Sequence, residues 1–303
     1  MKQLLLLRPI FLSILLSSVV LVQAQSDSTR INKKRLAITI GAETAFYAAG
    51  MSYLHFIWYK DVPRVPFTFY NDNAGYLQID KFGHAYGAYL ESYIGYHALR
   101  KAGVKKGPAL IFGGSLGLIL QTPIEVFDGL YENWGFSWGD MAANTAGALL
   151  MTGQEAFFDE QILRYKFSFW RSPYADMSGG YLGDNFLESF FYDYNGHSYW
   201  LSMNANRLLP NDPLPAWLNV AVGYSANGMF GEFENRTRCG RTIIPETPRD
   251  RQFLLSLDVD WSKVPTRSPF LKTVFKGLNF VKIPFPALEL NSRGQFRAHF
   301  LYF

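Results

Sequence analysis

The sequence predicts an α+β fold: an antiparallel helical bundle of about four helices, followed by an antiparallel β-sheet or partial barrel. Three observations carry this. Apolar residues recur at helical spacing as far as about Arg164, then alternate with period two after Trp170. The connections between the helical stretches are short, which makes antiparallel neighbours the default. The chain divides accordingly into 1–24, a signal peptide; 35–165, the helical bundle; and 166–303, the β-rich region.

Lys2 and Arg8 flank Leu4 to Leu7, an apolar run follows from Ile10 to Val22, and Val22-Gln23-Ala24 closes it with small residues at the positions a signal peptidase reads. The run is short for a bilayer-spanning helix, so a cleaved secretory signal is expected. No cysteine follows it, and lipidation there is not expected.

The first mature segment, Arg35 to Lys60, is mostly apolar and long enough to span a bilayer, but it contains Glu43 and His55. A polar loop with Pro63, Pro66 and Asn71-Asp72-Asn73-Ala74-Gly75 separates it from a second helix, Asp80 to Ala102, closed by Gly103. A third helix is predicted from Pro108, a first-turn proline, to Phe127. Ser137 is the expected N-cap of a fourth, which carries Asp140 in its first turn and continues past Glu155 and Asp159 toward Arg164.

Beyond Trp170, strands are predicted at Tyr199–Asn206, Leu218–Ser225, Phe253–Trp261 and on both sides of the Asn291–Gly294 turn. In the Phe253 strand one face carries Phe253, Leu255, Leu257 and Val259, and the other Leu254, Ser256, Asp258 and Asp260. Ser268 to Asn279 reads as a short amphipathic helix between strands. About five good strands are fewer than a single-chain outer-membrane barrel uses. The terminal Phe303 resembles that of outer-membrane proteins, although its face also holds Arg297 and His299.

Removing Lys2 and Arg8 leaves 27 basic against 25 acidic residues. A near-neutral mature chain argues against nucleic acid as a partner, since phosphate binding needs concentrated positive charge. Aromatic residues make up 17% of the chain, which suits a protein resting on or in a bilayer. One cysteine, Cys239, lies in an arginine-rich loop and cannot form an internal disulfide.

Three stretches put polar groups where a bundle would bury them. Asp80 and His84 are four apart on one helical face, with Lys81 beside them. Gln121 and Glu125 share a stripe, and Asp128 follows one turn later. Asp140 and Asn144 share a face among Ala142, Ala143, Ala146 and Gly147, small residues that admit a close neighbour. Two readings are open. In one, Asp80, His84, Glu125 and Asp140 line a cavity and hold a divalent metal or act as an acid–base set. In the other, Lys81, His84 and Asn144 neutralise and hydrogen-bond the carboxylates and fix the helices in register. No strong metal spacing and no nucleophile motif is present. No cofactor is predicted; a divalent metal at His84, Asp80, Glu125 and Asp140 is the alternative.

At these residues the chain resembles the YfiM-type family of predicted periplasmic lipoproteins, a domain of unknown function. The stretches are Asp80-Lys81-Phe82-Gly83-His84-Ala85, Glu125-Val126-Phe127-Asp128-Gly129 and Phe136-Ser137-Trp138-Gly139-Asp140-Met141-Ala142-Ala143-Asn144-Thr145-Ala146-Gly147. The motif order is more distantly similar to VanZ-like membrane proteins. The resemblance covers residues 35 to 165 and implies an envelope location and a helical bundle, with no established reaction. The chain lacks the lipidated cysteine of the short members and adds the β-rich region. Within that region, Tyr194-Asn195-Gly196-His197-Ser198-Tyr199-Trp200 resembles longer versions from Bacteroidetes-type bacteria.

The expected function is a non-enzymatic envelope protein with a structural or assembly role, exported to the outer membrane or the periplasmic face of the envelope. Its partners are the membrane, outer rather than inner, and other envelope proteins. Strongly stop-transfer helices would lodge an exported chain in the inner membrane instead. The alternative is a membrane-proximal enzyme or a metal- or lipid-binding protein using the polar cluster.

Overall fold

A computed structural model describes residues 30–303; the predicted signal peptide lies outside the described residues. The fold is α+β, and it separates into two compact units that alternate along the chain. A helical unit comprises the described residues up to Asn71, with Gly87–Gln161 and Thr266–Gly277; a sheet unit comprises Asp72–Tyr86, Ile162–Pro265 and Leu278–Phe303.

In the helical unit, α1 (Lys33–Tyr53) starts where Asn32 Oδ1 accepts from Arg35 N at 2.9 Å, and it ends in a wider turn over Leu54–Trp58. Helix α2 (Ile79–Lys101) begins in the sheet unit and belongs to the helical unit from Gly87 onward. The single helix expected from Pro108 to Phe127 is two, α3 (Lys106–Phe112) and α4 (Leu116–Asp128). The break has a packing cause. A Cβ on Gly113 would stand 2.5 Å from the Gly95 carbonyl carbon, and one on Gly117 only 2.1 Å from Ala88 O. The chain passes α2 backbone to backbone here, which only glycine allows.

Helix α5 (Trp138–Phe158) is capped by Ser137 as expected, but it stops at Asp159, which turns left-handed at φ 56°, short of the predicted run toward Arg164. The loop 63–71 pairs with the chain after α4. Thr68 N donates to Gly129 O at 2.8 Å and Phe136 N to Thr68 O at 2.9 Å.

The interior of this unit is polar. Ser92, Glu125, Asp140, Asn144 and Gln161 are buried, and Tyr89 donates to Gln161, whose amide donates to Glu155. Its outside carries Ile38, Ile40, Ile111, Phe112, Leu149 and Phe157, all exposed. The stretch Lys106–Asp128 is long and apolar enough to cross a membrane, and only 22% of it is buried.

In the sheet unit, six antiparallel strands run in the order β1 (Arg164–Phe169), β2 (His197–Asn204), β3 (Leu218–Asn227), β6 (Asp250–Val259), β7 (Phe285–Asn291) and β8 (Phe296–Tyr302). A separate hairpin joins β4 (Arg238–Cys239) to β5 (Thr242–Ile243), and two short helices, α6 (Pro173–Met177) and α7 (Phe186–Tyr192), lie between β1 and β2. The amphipathic helix expected from Ser268 is α8 (Pro269–Leu278), which up to Gly277 belongs to the helical unit.

The sheet curls. Laid flat, β2 and β8 would lie about 19 Å apart and β1 and β8 about 24 Å, at the usual strand spacing. Instead the rings of Trp200 on β2 and Tyr302 on β8 are 5.9 Å apart. Those of Trp170, just past β1, and Phe303, just past β8, are 4.4 Å apart. The outer edge of β1 is partly covered by the chain entering β7, as Phe167 N donates to Phe280 O and Lys282 N to Phe167 O.

Curling encloses the polar face. Lys166 and Asp258, both with 0% exposure, form a 2.6 Å ion pair. Asp258 also accepts from Ser202, to which Asn219 donates in turn. His299, opposite Ala287, pairs with Glu289 at 2.7 Å, so this residue of the Phe303 face looks inward. The other face leaves Val222, Phe253, Leu255, Leu257, Leu288 and Leu290 exposed. A sheet in water does the opposite, with its apolar face on a core and its polar face solvated.

Candidate functional site

Of the predicted polar residues, Asp80, Lys81 and His84 belong to the sheet unit, and Gln121, Glu125, Asp128, Asp140 and Asn144 to the helical unit. In the sheet unit, Asp80, Lys81 and His84 occupy the first turns of α2. Lys81 Nζ lies 2.7 Å from Asp72 and 3.2 Å from Asp80, so one ammonium bridges two carboxylates. His84 Nε2 stands 3.9 Å from Asp80 Oδ1, one helical turn away as the spacing required. Tyr194 donates to the same oxygen at 3.4 Å. Burial, and then the Asp80 charge, push the Tyr194 hydroxyl well above its usual range, which keeps it a donor.

The turn that delivers this helix is strained. Tyr76, Leu77 and Gln78 all have positive φ, at 44°, 50° and 69°, and none is glycine. Left-handed geometry costs about 1–2 kcal/mol per such residue, so the surroundings must hold it. Tyr76 N donates to Glu232 O at 2.8 Å, the Leu77 carbonyl accepts from Tyr224, and Arg251 donates to Gln78 Oε1 at 2.9 Å. Phe82, one turn into α2, stacks on Tyr224 at 4.5 Å. The Tyr76 hydroxyl meets that of Tyr181 at 3.2 Å, and burial followed by this contact raises it well above the ordinary phenol range.

In the helical unit, Glu125 on α4 accepts from the Ser137 backbone N at 3.2 Å, and Ser137 Oγ accepts from Asp140 N at 3.1 Å. Glu125 thus holds the N-terminus of α5, where a carboxylate also meets the positive end of the helix dipole. Asp140 and Asn144 are buried one turn apart on α5. Asp128 sits apart from these and accepts from Tyr59, whose ring stacks on Tyr131 at 4.2 Å.

Residues 68–152 match a family model described as a predicted periplasmic lipoprotein, DUF2279. The match contains every predicted polar residue of both units. It covers helices α2 to α4 and α5 as far as residue 152, and stops before the sheet strands. The family description agrees with an exported protein at the periplasmic face of the envelope, the location read from the sequence. Comparison with curated proteins and with solved structures gives no match.

Sequence reasoning reached Asp80, His84, Glu125, Asp140 and Asn144 through helical spacing. It did not reach Asp72 or Tyr194, which come to Asp80 from outside its helix. Nor did it reach the Lys166–Asp258 and His299–Glu289 pairs, whose members sit on different strands. Glu289 lies ten residues before His299, across the Asn291–Gly294 turn, so neither helical nor alternate spacing links the two.

Proposed function

We propose that this chain is a non-enzymatic envelope protein seated in the outer membrane, with a structural or assembly role toward other envelope proteins. One observation carries the reading: the sheet buries its polar face and exposes Val222, Phe253, Leu255, Leu257, Leu288 and Leu290. Exposed apolar area on this scale marks a surface that something apolar covers. Alternation with polar side chains enclosed and apolar ones outward is the pattern of strands facing lipid. The exposed apolar side chains of α1, α3 and α5 favour the same reading for the helical unit. Resemblance to the YfiM-type family and the VanZ-like motif order is consistent with it.

Membrane fractionation tests the proposal. The protein is expected in the outer-membrane fraction and to resist alkaline extraction. Recovery in the soluble periplasm after osmotic shock would overturn it.

A second reading draws on the Asp80–His84 pair. A carboxylate beside an imidazole can orient it as a divalent-metal ligand or as part of an acid–base set. Metal analysis of the purified protein with His84→Ala as the control tests this. Stoichiometric metal lost in the variant supports the reading. A variant that only melts earlier, with function intact at permissive temperature, refutes it.

A further inference from the structure

Three stretches of the helical unit contain no Asp or Glu: 30–42, 92–124 and 266–277. Together they hold eleven Lys and Arg residues in a chain whose mature charge is near balance, and of these Lys106 is paired with Asp159 at 2.6 Å. The fold gathers it at one end of the unit. Asn32 N, at the start of α1, donates to Ala102 O, at the end of α2, at 2.8 Å. Gly103, at φ 86°, lies against the Arg30 backbone, where a Cβ would stand 2.7 Å from Arg30 O. Lys276 of α8 and Arg35 of α1 are both close enough to Lys101 to disfavour its charge, and with burial they bring its pKa down to about 8. Like charges this near one another make a positive rim that an anion would stabilise.

Apolar surface starts beside this collar on each of three helices. On α1, Ile38 and Ile40 follow Arg35 and are exposed; on α3, Ile111 and Phe112 follow Lys106 and are exposed. On α8, Phe270 and Leu271 are exposed about one and a half turns before Lys276, with Lys272 beside them. A cationic rim bordering exposed apolar helix faces is the arrangement of a segment lying at a membrane surface, where ammonium and guanidinium groups meet lipid phosphates.

We propose that the collar built around Lys33, Lys34, Arg35, Lys101, Lys105 and Lys276 binds the phosphate headgroups of anionic phospholipids and sets the level of the helical unit at the bilayer surface. The proposal rests on membrane seating and adds to it a headgroup preference that seating alone does not require.

The test is partition of the full mature chain onto phosphatidylcholine vesicles, compared with vesicles of equal parts phosphatidylcholine and phosphatidylglycerol. The wild type is expected to bind the anionic vesicles about tenfold or more tightly, a preference that falls in high salt. The triple variant Lys33→Gln, Lys101→Gln, Lys276→Gln is expected to lose that preference and keep its binding to neutral vesicles. Arg at the same three positions should retain it. If the Gln variant misfolds, the Arg variant and the salt response of the wild type decide. Equal wild-type binding to both vesicles, or an intact preference in a folded Gln variant, overturns the collar and leaves seating standing. Binding to neither vesicle overturns seating and the collar together.

Discussion

The helical unit and the sheet unit solve the same problem by different means. Both put polar side chains inside and apolar ones outside. A helix satisfies its own backbone, so the helical unit can bring backbones together at Gly95, Gly113 and Gly117 and use its interior for hydrogen bonds such as Tyr89–Gln161 and Gln161–Glu155. A sheet needs neighbours for its backbone, and this one curls until side chains on distant strands meet across its inside. Its interior then holds the Lys166–Asp258 ion pair and the contact of Glu289 with the His299 imidazole. The lesson is energetic: buried carboxylates of the helical interior such as Glu125 and Glu155 accept neutral N–H donors, whereas in the sheet loss of Asp258 strands the opposite full charge of Lys166.

The largest effect is therefore expected in the sheet. Asp258→Ala leaves Lys166 charged at 0% exposure and should cost about 3–5 kcal/mol. The double variant Lys166→Met, Asp258→Leu should recover most of it. Denaturant unfolding monitored by tryptophan fluorescence measures both. A single variant within about 0.5 kcal/mol of wild type would show that the sheet interior is wet and that the contrast with the helices is false.

The outside comes next. Leu255→Lys, on the exposed face of β6, should cost about 2–4 kcal/mol in lipid, if that face is covered by acyl chains. Glu in place of Ser256, its inward neighbour, tests the other side of the same strand and should also destabilise, by burying an unpaired charge. A neutral Leu255→Lys would mean water on that face. The helical counterpart is smaller: Gly117→Ala forces a methyl against Ala88 O, and the overpacking should cost about 1–3 kcal/mol in thermal or denaturant unfolding.

Much of this architecture was legible in the sequence. Alternation at Phe253–Val259 and Leu218–Ser225 located two strands that pair in register, Val222 with Leu255 and Val220 with Leu257. Spacing also located α2, α5 with its Ser137 cap, and the amphipathic α8. Which face of the sheet points inward was not legible, because alternation assigns residues to two faces without naming the solvent on either. The break between α3 and α4 depends on Gly95 and Ala88 of another helix, so the local pattern ran straight through it. The strand β1 lay hidden because Lys166, its most buried charge, makes sense only beside Asp258, nearly a hundred residues on. In the candidate site, pairs four apart were found and partners from outside the helix, Asp72 and Tyr194, were not. The strained turn before α2 uses Tyr, Leu and Gln at positive φ, which no turn propensity anticipates.

The smallest effect concerns pH and, within the helical unit, is carried by Lys101 of the collar. In the free protein Lys101 titrates at about 8, below its usual value, through burial and the charges of Lys276 and Arg35. The folded state therefore binds fewer protons than the unfolded chain between about pH 8 and pH 10.5, and this residue makes stability rise with pH across that window. Anionic lipid favours the protonated form, so binding to phosphatidylglycerol vesicles should change in the opposite sense. It should be flat below pH 8 and weaken above it, by at most about tenfold at pH 9 for one proton taken up. Lys101→Gln should flatten the binding profile and lessen the rise of stability with pH. A vesicle-binding curve that keeps its fall above pH 8 in that variant would assign the proton elsewhere and remove Lys101 from the collar.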